Sequence, residues 1–181
     1  MKKKISLEDN ILVAGASGMA GSAIYKNLIN AGYGNIKNGA KIFNPSRSEL
    51  DYLDIVSVKD WFRENKPSVV IVAAAKVGGI LANANQQADF LLQNIKIQTN
   101  IIETAWENKV KRLLFLGSSC IYPKFCQQPI KEEYLLNGPL EKTNEGYAIA
   151  KIAGLKLCEK LKNQYGFDAL SLMPTNLYGP G

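Results

Sequence analysis

Five short apolar runs alternate with stretches of helical periodicity, and that alternation constrains this chain more than any other feature. The runs span residues 11–14, 41–43, 69–75, 111–117 and 169–173. Between them, residues 18–31, 57–65, 86–109 and 145–165 carry apolar positions at helical spacing. The run 69–75 is apolar at successive positions, so a strand there is buried on both faces, as in the interior of a parallel sheet. The order β-α-β-α-β-α-β-loop-α-β predicts an α/β fold: a doubly wound parallel sheet, helices on both faces, right-handed crossovers. Gly32 stops the first helix, Ser57 is the expected N-cap of the second, and Pro67 lies beyond its end. Residues 86–109 are apolar on two sides, with Leu91, Leu92, Ile95, Ile102 and Trp106 on one and Phe90, Ile97 and Ile101 on another. Such a helix lies deep in the core or against a partner. Residues 120–144 hold three prolines and read as a long loop, a length associated with function.

The 181 residues suffice for one hydrophobic core and not for two. No histidine is present. Within this sequence that excludes Ser-His-Asp and Cys-His nucleophiles and His-based zinc sites. An acid or base working near neutral pH must then be a tuned Tyr, Cys, Lys or carboxylate. Cys120, Cys126 and Cys158 form no CxxC pair and are odd in number, so neither a metal site nor a disulfide framework is expected, and a cytoplasmic location fits. The net charge of +6 suits anionic ligands, but no basic stripe interleaves with aromatics, so nucleic acid is not an expected partner. No apolar stretch reaches the length of a membrane span, and no membrane association is expected. Residues 1–10 read as a basic tail and residues 11–181 as one domain.

The first apolar run leads into Gly15-Ala16-Ser17-Gly18-Met19-Ala20-Gly21, a GxxGxxG pattern that opens a helix. Strand, glycine turn and helix N-terminus together make a pyrophosphate site, which predicts a Rossmann-type dinucleotide-binding domain. The second run ends in Asn44-Pro45-Ser46-Arg47, with no carboxylate for a ribose 2′-hydroxyl. Arg47 suits a 2′-phosphate, which favours NADP(H). Asp54-Ile55 follows, where Asp54 either contacts the adenine amino group or caps a helix. Tyr147 and Lys151 stand one helical turn apart, so a lysine ammonium is expected to lower the tyrosine pKa. Ser118 follows a buried strand at the sheet edge where ligands bind. A glycine-rich turn followed by Ser118, Tyr147 and Lys151 resembles the short-chain dehydrogenase/reductase superfamily, in its extended, nucleotide-sugar type.

Four longer runs resemble the GDP-L-fucose synthases, which are epimerase-reductases. They are Ala73-Ala74-Ala75-Lys76-Val77-Gly78-Gly79-Ile80, residues 115–124 around Ser118-Ser119-Cys120-Ile121-Tyr122-Pro123, residues 147–154, and Met173-Pro174-Thr175-Asn176-Leu177-Tyr178-Gly179-Pro180. The resemblance implies NADPH-dependent 3,5-epimerisation and 4-reduction of GDP-4-keto-6-deoxy-D-mannose. It implies Tyr147 as proton donor at C4, supported by Lys151 and Ser118, and Cys120 as acid/base for the epimerisations. It places Ala74, Ala75, Lys76, Leu116, Gly117, Ser118, Ser119, Pro174, Thr175, Asn176 and Leu177 beside the cofactor. It also implies a homodimer through helices 86–109 and 145–165.

The resemblance includes departures. That family has a second, substrate-binding lobe carrying a histidine that pairs with the cysteine, and both are absent from this sequence. The chain is therefore expected to be an N-terminal piece of a family member. Ser17 stands where some members carry an arginine, leaving the 2′-phosphate to Arg47. Two alternatives stay open: an epimerase or 4-ketoreductase for another nucleotide sugar, and a catalytically silent dinucleotide-binding fragment.

Overall fold

The computed structural model describes residues 5–35, 37 and 39–179. The lysines of the expected tail, at positions 2–4, and Pro180 and Gly181 lie outside the described residues. The strands are β1 (Ile11–Ala14), β2 (Ile42–Phe43), β3 (Val69–Val72), β4 (Arg112–Leu116) and β5 (Ala169–Leu172). The helices are α1 (Met19–Asn30), α2 (Ile55–Asn65), α3 (Ile80–Asn85), α4 (Gln87–Glu107) and α5 (Glu145–Tyr165). All strand pairs are parallel, in the order β2-β1-β3-β4-β5. The expected α/β Rossmann-like sheet is present. The order reverses at β1 and β3, the switch point outside which such sheets take ligands.

Strand register sorts the core into two layers. Leu12, Val70, Leu113 and Ala169 share one face with Val72 and Phe115, and pack under Val58 and Phe62 of α2, Ile101, Ile102 and Ala105 of α4, and Cys158 and Leu161 of α5. Ile11, Val13, Val69 and Ile71 share the other face and pack under Ile24, Tyr25 and Leu28 of α1. Leu170 and Leu172 of β5 pair with Leu114 and Leu116, so they lie on the α1 side, and both are exposed.

Several local readings are corrected. Asp54, not Ser57, caps α2: its carboxylate accepts from the Val56 N–H at 2.9 Å, so the helix starts earlier. The segment after β3 contains the short helix α3, which its two preceding glycines obscure in the sequence. The buried stripe of α4 includes Phe90, Asn94, Gln98, Ile101 and Ala105, whereas Leu92 is exposed. Phe90 and Ile101 mark that stripe in the sequence, whereas its buried amides are polar and hydropathy does not reveal them. The expected loop 120–144 has three single 3₁₀ turns, and Tyr134, Leu135 and Leu140 seat it on Ile121, Tyr122 and Ile152.

The start of the chain's described part is fastened to the sheet. Asp9 is buried and accepts from the Ser6 N–H at 2.6 Å, the Ser68 hydroxyl at 2.9 Å and the Lys111 ammonium at 2.9 Å. Burial opposes its ionisation, but those three donors outweigh burial and hold the carboxyl below its ordinary value. A depressed carboxyl stabilises the fold above its unfolded pKa, and the contribution is lost as pH falls through the folded pKa. Asp9→Asn should therefore lower stability by about 1–3 kcal/mol at pH 7. Urea unfolding of the two proteins should converge as pH is brought below the Asp9 titration.

Candidate active site at the carboxyl edge of the sheet

The cleft begins where β1 ends. Gly15 has φ of +86°, and an added Cβ would lie 2.6 Å from the Ala74 nitrogen, so only glycine lets the β1 turn meet the end of β3. At Gly21 a Cβ would overlap the Gly15 carbonyl oxygen, so α1 seats directly on the turn. Gly18 is the N-cap of α1, with no capping side chain and no acidic residue in the first turn. A helix start without its own anionic partner accepts an external anion.

These elements border an open cavity of about 650 Å³, an ordinary size for a small-molecule site. Gly15, Ser17, Gly18, Met19, Ala20 and Gly21 line one wall, Arg47 with Pro45 another, and Ala74, Ala75 and Lys76 the floor. Arg47 is extended toward solvent, 4.0 Å from Asp51. Asp54 and Ile55 do not line this cavity; Asp51, Tyr52 and Leu53 do, together with Leu50 and with Gln93 and Ile97 of α4. The sequence reading missed these six. Gln93 and Ile97 stand one turn apart on α4, which is their only local signal. The Tyr52 hydroxyl is buried without a partner among the described residues, and burial raises its pKa. Ala16 packs under the α1 side of the sheet.

Leu116, Pro174 and Leu177 line a second, apolar hollow of about 430 Å³ with Ala20, Ala23 and Ile24 of α1. Gly117 donates to the Leu172 carbonyl at 2.7 Å and Ser119 to the Pro174 carbonyl at 3.1 Å, which ties the ends of β4 and β5 together. Thr175 and Asn176 follow, both exposed.

Beyond β4 the four expected catalytic side chains converge. The Lys151 ammonium donates to the Leu116 carbonyl at 2.8 Å and lies 4.9 Å from the Phe115 ring and 5.7 Å from the Tyr147 ring. The Ser118 hydroxyl accepts from the Cys120 N–H at 3.4 Å, and the Cys120 charge is felt at both Lys151 and Tyr147. These four residues line neither of the two cavities above.

Electrostatics here differ from the sequence expectation. Lys151 does not lower the Tyr147 pKa. Burial, then the neighbouring Cys120, pushes Tyr147 up to about 12. Lys151 is itself 3% exposed, and burial pulls it down to about 8. Burial pushes the Cys120 thiol up, against the Ser118 hydroxyl and the Lys151 charge. Tyr147 therefore keeps its proton at neutral pH, the state a proton donor requires.

The description of the NAD dependent epimerase/dehydratase family matches residues 11–181. The chain belongs to that family. Among its relatives, GDP-L-fucose synthase 1 of Arabidopsis thaliana is 54% identical over 170 residues, 94% of this chain and 51% of that protein. GDP-L-fucose synthase of Escherichia coli is 51% identical over 173 residues, 96% of this chain and 52% of that protein. A solved GDP-D-glycero-L-gluco-heptose synthase from Campylobacter jejuni, in the presence of NADPH, superposes with a TM-score of 0.89 at 38% identity. It covers 97% of this chain and 49% of that one. The chain thus spans about half the length of the relatives it matches. No helix among the described residues is long and apolar enough to cross a membrane.

The buried lysine makes a stability prediction. Below pH 8 both states carry the charge, and the folded state bears the cost of burying it. Between pH 8 and 10.5 the folded protein sheds the proton first, so stability rises with pH. Lys151→Met should stabilise the chain by about 1–3 kcal/mol at pH 7. Thermal melts should show that advantage shrinking through this window and gone above it.

Proposed function

We propose that this chain is the dinucleotide-binding part of an NADPH-dependent epimerase-reductase that converts GDP-4-keto-6-deoxy-D-mannose to GDP-L-fucose. The observation that carries the reading is the convergence of Ser118, Cys120, Tyr147 and Lys151 at the end of β4, on the ligand edge of the sheet. Relatives more than 50% identical that bear the name GDP-L-fucose synthase support the substrate class.

The residues present fit NADPH. The glycine turn packs directly on Ala74 at the cavity wall, and the uncapped α1 start suits the pyrophosphate. Arg47, at the cavity rim, would meet the 2′-phosphate, and Asp51 beside it would orient the guanidinium. Tyr52 and Leu53 would border the adenine. When bound, the cofactor supplies a hydride to C4 of the sugar.

Within this reading the chain's own groups handle protons. Tyr147 delivers its proton to the O4 atom as the C4 carbonyl is reduced, while the Ser118 hydroxyl hydrogen-bonds the same oxygen. Lys151, poised on the Leu116 carbonyl, stabilises the tyrosinate left behind. Cys120 exchanges the protons at C3 and C5, which the C4 ketone acidifies; Ser118 and Lys151 oppose the burial that raises its thiol. Exposed Leu92 on α4 and Ile149 on α5 support a homodimer through these helices.

A GDP-heptose is the second substrate reading, favoured by the Campylobacter neighbour. Turnover assays in a protein of the relatives' length separate the two. Tyr147→Phe should abolish C4 reduction and leave NADPH bound; unchanged reduction removes Tyr147 from its role. Cys120→Ser should stop deuterium uptake at C3 and C5 from heavy water, and normal uptake excludes the thiol. Arg47→Ala should weaken NADPH about tenfold with little change for NADH, measured by cofactor fluorescence.

A further inference from the structure

Amides interrupt the buried stripe of α4 where apolar side chains are the ordinary choice. Gln87, Asn94 and Gln98 are spaced i, i+7 and i+11, which at ~100° per residue sets them within about 40° of one another. Asn94 and Gln98 are each 2% exposed. A buried amide is tolerated only when its donors and acceptor are met.

Each amide is met by the backbone of a segment that carries site residues. Gln87 donates to the Lys142 carbonyl at 3.0 Å and accepts from the Gly146 N–H at 3.3 Å, directly before Tyr147. Asn94 accepts from the Lys76 N–H at 2.8 Å and donates to the Lys76 and Phe90 carbonyls at 3.0 and 2.8 Å. Lys76 is on the cavity floor. Gln98 donates to the Ala150 carbonyl, directly before Lys151.

Helix α5 leaves room for this stripe. A Cβ at Gly146 would lie 2.5 Å from the Gln87 backbone oxygen. One at Gly154 would lie 2.8 Å from the Gln98 amide and 2.6 Å from the Phe115 ring. Both glycines therefore let α5 approach α4 closely enough for the amides to reach its backbone.

We propose that Gln87, Asn94 and Gln98 are positioning residues, a stripe of amides on α4 that holds the Tyr147–Lys151 turn of α5 and the Lys76 segment in register. The proposal rests on the reading of Tyr147 and Lys151 as site residues. Gln98 presses the Lys151 turn onto the end of β4, which keeps water from the ammonium. Gln87 holds the first turn of α5, and so the direction from which Tyr147 enters the site. Asn94 fixes the cavity floor independently of α5.

The test is NMR titration of Lys151 and Tyr147 in the 181-residue chain, without ligand. Gln98→Leu keeps the volume and removes the donor. The Lys151 midpoint should rise by at least about 0.5 pH as water reaches the ammonium, because desolvation holds it down. Gln87→Ala, near the surface at the start of α4, should displace the Tyr147 ring signals, and Gln87→Glu, which keeps the acceptor for Gly146, should restore part of the change. Lower melting temperatures with the Lys151 midpoint and the Tyr147 ring signals both unmoved would overturn the proposal. Should Gln98→Leu fail to fold, Gln87→Ala decides by the same criterion. NADPH binding by the unmodified chain is measured alongside. Its absence overturns the dinucleotide reading, while the ligand-free titrations still decide the stripe.

Discussion

The site depends on a backbone-to-backbone contact. The turn after β1 lies against the start of the segment after β3, with no room for a side chain between Gly15 and Ala74. Helix α1 then closes on the same turn at Gly21. Remove either approach and the α1 start no longer faces the cavity floor. Everything else in the cleft is arranged around that contact. Parallel pairing of β1 with β3 brings the two loops to one edge, and the crossovers place α1 on one face and α2, α4 and α5 on the other.

Low local polarity governs the proton affinities beyond β4. The Lys151 ammonium is nearly sealed from water and donates to the Leu116 carbonyl, with two aromatic rings beside it. That environment lowers its proton affinity and raises that of Tyr147 through the same cause, since burial penalises whichever form is charged. In the ligand-free protein the two are balanced by burial more than by each other.

Much of this was legible in advance. The alternation of apolar runs predicted the sheet, because parallel strands buried on both faces must be apolar at successive positions. The GxxGxxG turn marked the cavity end of the sheet, because a close backbone approach admits only glycine. Tyr147, Lys151, Ser118 and Cys120 were found by spacing and by resemblance, and the fold does bring them together. The cavity wall formed by Tyr52, Leu53, Gln93 and Ile97 was not legible. These residues belong to two elements far apart in sequence, and no local pattern links them. The α4 amides were hidden for a related reason. Hydropathy classes a glutamine as exposed, and only its backbone partners on another helix reveal that it is buried.

The sequence by itself determined the order of elements and the glycine turn, because these follow from periodicity and backbone sterics, and its resemblance to a known family singled out the candidate site residues. Tertiary structure decided which residues line the cleft, where Asp54 spends its carboxylate, and which way burial moves the pKa values of Tyr147 and Lys151. Those outcomes turn on desolvation and on partners distant along the chain, and neither is a property of any local run of residues.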